Sequence, residues 1–431
     1  METSSGSGIT LRGYYRLLRD NVNFRRLWLA QLISGTGDWF YSVAIYDLLL
    51  KLTGSAEVMA LAAVLQILPM FIAGPTAGAV NDRVSRRRVM LIADLIRSVV
   101  VLGMLFIETR EQIWILYVLL ACEVSTAAFF ESARNAVLPN VVDRKDIPAA
   151  NAVSATTWSV TVTAGAAIGG FAVAYLGRQS VFLLNSSSFL LSAWCIYRMS
   201  VRETHVEPGV RLRWHDILGF GPTVEGFRYV ARDLKLASLL TLKFGLGILG
   251  ARLVLVSVIG SREFAVNGQA ALGMSLLLIF QGIGSLIGPL VAGPLVRNSR
   301  RRMRYGILAG YLAAAVSYMV FSQAYSLGIA AITMVVAHAG GSLVWVFSTT
   351  LLHLSTADRF RGRVFAADLA LFMITASVAS YSCGWAIDHA IAARTAALGV
   401  GLSMLLPAAA WMISMRTIWR ADAEPPKPVS N

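Results

Sequence analysis

The chain has 431 residues, 56% of them hydrophobic and 14% charged, with mean hydropathy +0.63 and a net charge of +14. A soluble domain carries about 25% charged residues, so this composition excludes an ordinary soluble fold and points to a polytopic membrane protein. The positive excess is not a nucleic-acid footprint, because the basic residues fall in gaps between apolar runs and form no aromatic-laced patch.

A spanning helix needs about 20 mostly apolar residues. Twelve such runs occur, near 25–50, 58–80, 89–108, 112–132, 150–176, 180–200, 236–260, 270–296, 305–324, 326–352, 364–392 and 395–418. The first twenty residues are polar and basic, and the first apolar run is too long for a signal h-region, so no cleavable signal is expected. Between the sixth and seventh runs lies a polar stretch with Pro208 and Gly209, read as a linker with a surface helix around Trp214 to Tyr229. The expected organisation is therefore a six-helix bundle over 1–200, a cytoplasmic linker over 201–235 and a second six-helix bundle over 236–431. Cys122, Cys195 and Cys383 all lie inside apolar runs, and three cysteines imply no disulfide framework.

Lys and Arg counts in the gaps set the orientation. With the N-terminus inside, thirty of the 38 basic residues fall on the cytoplasmic side. The outer loops hold five, Lys51, Arg110, Arg178, Arg262 and Arg394, and the spans hold Arg97, Lys243 and Arg252. Both termini are expected in the cytoplasm. The two halves also repeat under a shift of 215 residues, which sets Gly78 on Gly293, Arg86–Arg88 on Arg301–Met303, Asp143-Arg144 on Asp358-Arg359 and Gln66 on Gln281. A duplicated six-helix unit forms a pseudo-two-fold bundle with its site near the membrane midplane.

The gap between the second and third runs reads "GAVNDRVSRRR". Gly78, Asp82, Arg83, Arg87 and Arg88 resemble the loop signature of the major facilitator superfamily, with Ser85 where that family usually has Gly. "ESARNAVLPNVVDRKDIPAANAV", "GRQSVFLLNSSSFLLSA", "VEGFRYVARDLKL" and "RGRVFA" resemble its branch of macrolide and enterobactin exporters. The resemblance implies an all-α membrane fold of twelve helices in two pseudo-symmetric bundles. It also implies a gate, in which Asp82 sits against the positive N-terminus of the eleventh helix, near Arg363. The bland alternative is a topogenic loop whose arginines meet anionic lipid. Arg297 stands where the second half would repeat Asp82, so a second gate is not expected. Gly165, Gly169 and Gly170 match the family's fifth-helix glycine motif and permit close helix contact. Ala166 replaces its usual Pro, which weakens the implied link to antiport.

Ionisable residues inside spans are functional candidates by default. Asp38 lies midway along the first run and Glu123 midway along the fourth, and each is a candidate proton or substrate site. Lys243 and Arg252 in the seventh run either balance those acids or bind an anionic substrate. The alternative for Asp38 and Glu123 is a hydrogen-bonded helix-packing role or an ion pair with Arg252 or Lys243. Asp94 and Arg97 are three apart and read as a pair on one helix face. Asp368 suits the first turns of its helix, and His338 reads mainly as packing. Gln66 and Gln281 are repeat mates that either face a cavity or bond between helices. Trp39, Phe40, Phe129, Phe130, Trp158, Trp345 and Phe372 supply candidate pocket walls.

Gly245-Leu246-Gly247-Ile248-Leu249-Gly250 fits a dinucleotide pattern, but no strand precedes it, so it reads as tight helix packing. No Walker loop or zinc motif occurs, so neither ATP drive nor a cofactor or metal is expected. The expectation is a non-enzymatic secondary transporter of the bacterial inner membrane, monomeric, exchanging protons for amphiphilic small molecules. The rivals are a dedicated exporter of one metabolite, such as a siderophore or antibiotic, and a non-transporting membrane sensor or assembly partner.

Overall fold

The computed structural model describes residues 11–201, 203, 221–296, 299–357 and 360–419. These residues are almost entirely helical, with one isolated bridge between Val266 and Gln269. Among them, ten helices are long and apolar enough to cross a membrane. Helices are the natural answer for such a sequence, because hydrocarbon offers the backbone no outside hydrogen-bond partner.

The contacts divide the described chain into two compact units. The first takes in α1 (Leu11–Asp20), α2 (Val22–Thr53) as far as Leu48, α4 (Leu68–Asn81) from Pro69, α5 (Arg86–Gly103), α6 (Ile113–Val141) and α7 (Ile147–Tyr197). The second takes in residues Leu49–Leu68, which carry α3 (Ala56–Leu65), and then α8 (Gly221–Val230), α9 (Leu234–Gly247), α10 (Arg252–Arg262), α11 (Ala270–Val296), α12 (Arg300–Phe321), α13 (Leu327–Ser355), α14 (Arg361–His389) and α15 (Ala393–Thr417).

Local breaks refine the hydropathy reading. The run near 58–80 lies in one span, Ala56–Asn81, interrupted between α3, which stops at Leu65, and α4, which starts at Leu68. Pro69 explains the break: it has no amide to donate to Leu65, and its ring crowds that carbonyl. The run near 236–260 is also interrupted, by a tight turn of helix over Ile248–Ala251. The runs near 150–176 and 180–200 meet within α7 at a kink, where Gly177 at φ 79° and ψ 162° separates two helices. That backbone geometry is open to glycine and strained for other residues.

Serine caps mark where polar gaps become helix. Ser85 accepts from the amide of Arg88, and Ser299 from that of Arg302. Both of the basic clusters that the 215-residue shift aligns thus begin with the same capping device. α8 overlaps the end of the surface helix expected at Trp214 to Tyr229, and positions 204–220 lie outside the described residues. It docks on the start of α14 through a Glu225–Arg363 ion pair of 2.9 Å and a stacked Tyr229–Phe360 pair at 4.2 Å. Phe171, Tyr175, Leu176, Trp194 and Tyr197 on α7 are each more than half exposed. So large an apolar face suits lipid as its solvent.

Candidate functional site

In the first unit, α2, α5 and α6 bring one guanidinium and three carboxyls together. Arg97 on α5 donates from Nη2 to both carboxylate oxygens of Asp38, each at 2.7 Å. Its Nε donates to Glu123 Oε1 at 2.7 Å. Asp94, one turn away on α5, stands 3.7 Å from Arg97 Nη1, and neither of its carboxylate oxygens has a hydrogen-bond partner among the described residues. Tyr41 on α2 donates to the second oxygen of Glu123 at 2.8 Å. The Phe189 ring closes one face of the guanidinium, 4.1 Å from its carbon, an arrangement favourable to a cation.

Burial is graded across this cluster. The side chains of Arg97 and Glu123 are each 3% exposed and Asp94 is fully enclosed, whereas Asp38 is 34% exposed. Asp38 is thus the member that meets the outside of the unit. Its neighbourhood depends on the glycine motif. A Cβ on Gly165 would fall 2.5 Å from Trp39 Cβ, and one on Gly169 2.6 Å from Phe40 Cα. Gly170 is buried beside them. Only hydrogen at these positions lets α7 lie against the stretch of α2 that carries Asp38.

The sequence reading joins Arg97 to Asp94 alone and offers Lys243 and Arg252 as balance for Asp38 and Glu123. The geometry is different. Arg97 serves Asp38 and Glu123, and Lys243 belongs to another cluster. A helix spacing rule sees only partners on the same helix, so it found the Asp94 contact and missed the two stronger ones. Tyr41 and Phe189 carried no sequence signal of their own.

Lys243 lies in the second unit, 1% exposed. It donates to Thr349 Oγ1 at 2.9 Å, its nitrogen sits 3.4 Å from the centre of the Trp345 ring, and Asp368 Oδ2 is 3.8 Å away. Asp368 is therefore an ion-pair partner and not simply an acid in the first turns of α14. Trp345 meets Phe372 edge-on at 5.1 Å. Arg252 is half-buried at the start of α10. Gln66 occupies the C-cap of α3, at the break before α4, and Gln281 is buried in α11 with Oε1 unbonded among the described residues. His338 packs by α12, 3.3 Å from the Tyr318 hydroxyl. The glycines of the dinucleotide-like run face helices: Gly245 meets Pro407, Gly247 meets Thr375 and Gly250 meets Ala376.

The loop from Gly78 to Arg88 is pinned by its own arginines. Arg86 donates to Ala136 O at 2.8 Å, Arg87 to the carbonyls of Ile196 and Tyr197, and Arg83 to Ala79 O at 3.3 Å. Arg88 and Asp82 are exposed, and a Cβ on Gly78 would meet open space. Arg297 and the Asp358-Arg359 pair lie outside the described residues. An apolar groove of about 690 Å³ runs along α7, lined by Ala167, Ile168, Phe171, Tyr175, Leu176 and Leu184 among others. Its aromatics are not among those expected to form a pocket.

Known proteins give a consistent comparison. The Major Facilitator Superfamily profile matches residues 27–380. The multidrug efflux pump Tap of Mycolicibacterium fortuitum is 26% identical, over 78% of this chain and 82% of that protein. The putative bacilysin exporter BacE of Bacillus subtilis is 23% identical, over 71% of this chain and 74% of its own length. The uncharacterized MFS-type transporter YfiS of the same species is 29% identical, but the match spans only 43% of that protein and 42% of this chain. Among solved structures, a POT family transporter in complex with 5-aminolevulinic acid aligns with a TM-score of 0.75 at 10% identity, covering 92% of this chain and 96% of that one. The nucleoside transporter NupG aligns at 0.71 and 12% identity, covering 92% and 99%.

Proposed function

The chain belongs to the major facilitator superfamily, and from that premise we propose that it is a proton-coupled exporter of amphiphilic small molecules. The charge count in the first unit carries the reading. One guanidinium faces three carboxyls in an apolar surround. Fully ionised, the group would hold two uncompensated negative charges, a heavily penalised state away from water. Protons relieve that penalty, and a cluster that gains and releases them is a coupling site. Asp38 is the entry, because it is the exposed member. A proton arriving there loosens its hold on Arg97, which then leans on Glu123 and Asp94. That redistribution biases the equilibrium between two facing states.

Export, as opposed to uptake, is supported by relatives named for efflux of drugs and macrolides. Twelve spans are supported if α7 is divided at Gly177, since its 51 residues exceed a single crossing, and if α2, 32 residues long, is added to the other helices. Two six-helix bundles at 1–200 and 236–431, cytoplasmic termini, an inner-membrane location and a monomer complete the reading, the orientation resting on the thirty-to-five basic bias. A gate at Asp82 and a cavity role for Gln66, Gln281 and Arg252 belong to the same proposal. A second reading, a dedicated exporter of one metabolite, is favoured by the similarity to BacE; resistance to many unrelated compounds on overexpression would set it aside.

The test is flux in proteoliposomes with an imposed pH gradient and a panel of dyes and macrolides. The pair Asp38→Asn and Glu123→Gln is expected to abolish gradient-driven accumulation while leaving a monodisperse protein. Continued pumping by that double variant would defeat the proposal.

A further inference from the structure

In the first unit, the last turn of α7 gathers three guanidinium groups. Arg87, from the start of α5, donates through Nε to Ile196 O at 3.2 Å and through Nη2 to Tyr197 O. Arg26 on α2 donates to the carbonyl of Arg198, and Asn23 on the same helix exchanges hydrogen bonds with Ser200 at 2.8 and 3.0 Å. The last carbonyls of a helix have no intrahelical donor, and cations placed there gain from the helix dipole as well. Arg198 supplies the third guanidinium, over the Trp194 ring at 5.4 Å, and that of Arg87 lies over the Tyr197 ring at 5.7 Å. Carbonyls and rings are uncharged partners, so they satisfy donors without neutralising the group. Glu203 accepts from the Arg87 amide at 3.1 Å, but among the described residues no carboxylate forms an ion pair with Arg26, Arg87 or Arg198.

The same turn ends an apolar stripe. Leu183, Leu190, Trp194 and Tyr197 follow one another at the spacing of a single helix face, and each is half exposed or more. From Leu183 to Trp194 the helix rises about 16 Å, close to one leaflet of a hydrocarbon core about 30 Å thick. Trp and Tyr settle at headgroup level, where an apolar ring meets a wet edge. An arginine at that depth reaches outward with its charged end, and its planar fork suits a phosphate. Read along α7, leucines, two aromatic rings and three guanidinium groups succeed one another in the order of a phospholipid's parts, from acyl chain to phosphate.

We infer that this end of α7 is a binding site for one anionic phospholipid, its acyl chain along Leu183 and Leu190 and its phosphate among Arg26, Arg87 and Arg198. Three positive charges without an acid favour a lipid of net negative charge over a zwitterionic one, whose own cation offsets the attraction. The basic-residue bias assigns this end to the cytoplasmic leaflet. The site rests on the membrane-embedded reading and needs neither proton coupling nor an identified substrate, so it stands or falls separately from transport.

The full chain in a non-ionic detergent is titrated with palmitoyl-oleoyl phosphatidylglycerol or with the phosphatidylcholine of the same chains, and retained lipid is read by native mass spectrometry. The parent should hold phosphatidylglycerol about fivefold more tightly or better. Arg198→Gln leaves the carbonyl contacts of Arg26 and Arg87 in place and should cut that preference about threefold or more. Arg198→Lys keeps the charge and should lose less. Trp194→Leu should weaken both lipids. Arg416→Gln, which removes an exposed arginine from the last turn of α15 in the second unit, should change nothing. Equal retention of the two lipids by the parent, or a parental preference in Arg198→Gln, would overturn the site. So would an equal loss in Arg198→Gln and Arg416→Gln, which would reduce the effect to diffuse attraction. A lipid-free dimer that Trp194→Leu dissociates would give the face to a second copy of the chain instead. If Arg198→Gln does not elute as a monodisperse peak, Trp194→Leu decides, and unchanged retention of phosphatidylglycerol there overturns the site.

Discussion

Each unit buries a cluster of charge, and the two clusters are built differently. In the first, Arg97 is shared by Asp38, Glu123 and Asp94, an excess of acid that reaches the unit's surface through Asp38. In the second, Lys243 and Asp368 balance one another, both are enclosed, and Thr349 and the Trp345 ring satisfy the ammonium. An unbalanced, partly open group has a reason to exchange protons. A balanced and closed pair has none. The comparison teaches that an intramembrane charge has no meaning by itself; whether its partners balance it decides what it can do.

The most damaging way to break the first cluster is to remove its only cation. Arg97→Ala would leave three carboxyls facing one another, and losing one partner of a buried pair typically costs about 3–5 kcal/mol. The expected outcome is a large fall in thermal stability in detergent together with loss of transport. Arg97→Lys should fold better yet transport poorly, because an ammonium cannot hold Asp38 through two bonds and also reach Glu123 as a planar fork does. A fully active Arg97→Lys protein would show that charge alone, without geometry, suffices.

The second cluster sharpens the contrast through a double-mutant cycle. Lys243→Met or Asp368→Leu alone should destabilise by about 3–5 kcal/mol, since each strands a buried charge. Together they should approach the parent in melting temperature, because an apolar pair of similar volume often replaces a buried ion pair without loss. Gradient-driven transport by the double variant should survive in part. If it vanished while the fold was intact, Lys243 and Asp368 would join the coupling machinery and the asymmetry between units would disappear.

These clusters mark the limit of what the sequence makes legible. The spans could be read because hydrocarbon imposes a length and a composition on each helix. Asp38, Glu123 and Lys243 could be singled out because charge inside a span is costly. Their partners could not, since Arg97 lies on a different helix from Asp38 and Glu123, and Lys243 is 125 positions from Asp368. Arg97 was visible all along, and the spacing rule attached it to Asp94. The break before α4 was also within reach, because Pro69 cannot continue the hydrogen bonding of a helix through Leu65. The hydropathy of that run concealed it. Gly165 and Gly169 were legible as contact residues, but not that their contact is the backbone beside Asp38.

The finest test of the comparison concerns one hydroxyl. Tyr41 donates to Glu123 at 2.8 Å from a buried position, and this bond helps fix the carboxylate that Arg97 also holds. Tyr41→Phe removes the donor with almost no change in shape. A hydrogen bond to a charged group is worth about 1.5–3 kcal/mol, but the flanking Arg97 bonds remain, so only part of that should appear. Glu123 loses one of its two anchors, so gradient-driven transport should fall by about tenfold or less while stability drops by about 1 kcal/mol or less. The equivalent deletion in the second unit, Thr349→Val, takes an acceptor from Lys243 and should lower stability with no fall in transport beyond what the loss of folded protein explains. A specific loss of transport in Thr349→Val, or full transport in Tyr41→Phe, would mean that the two clusters do not differ in this way.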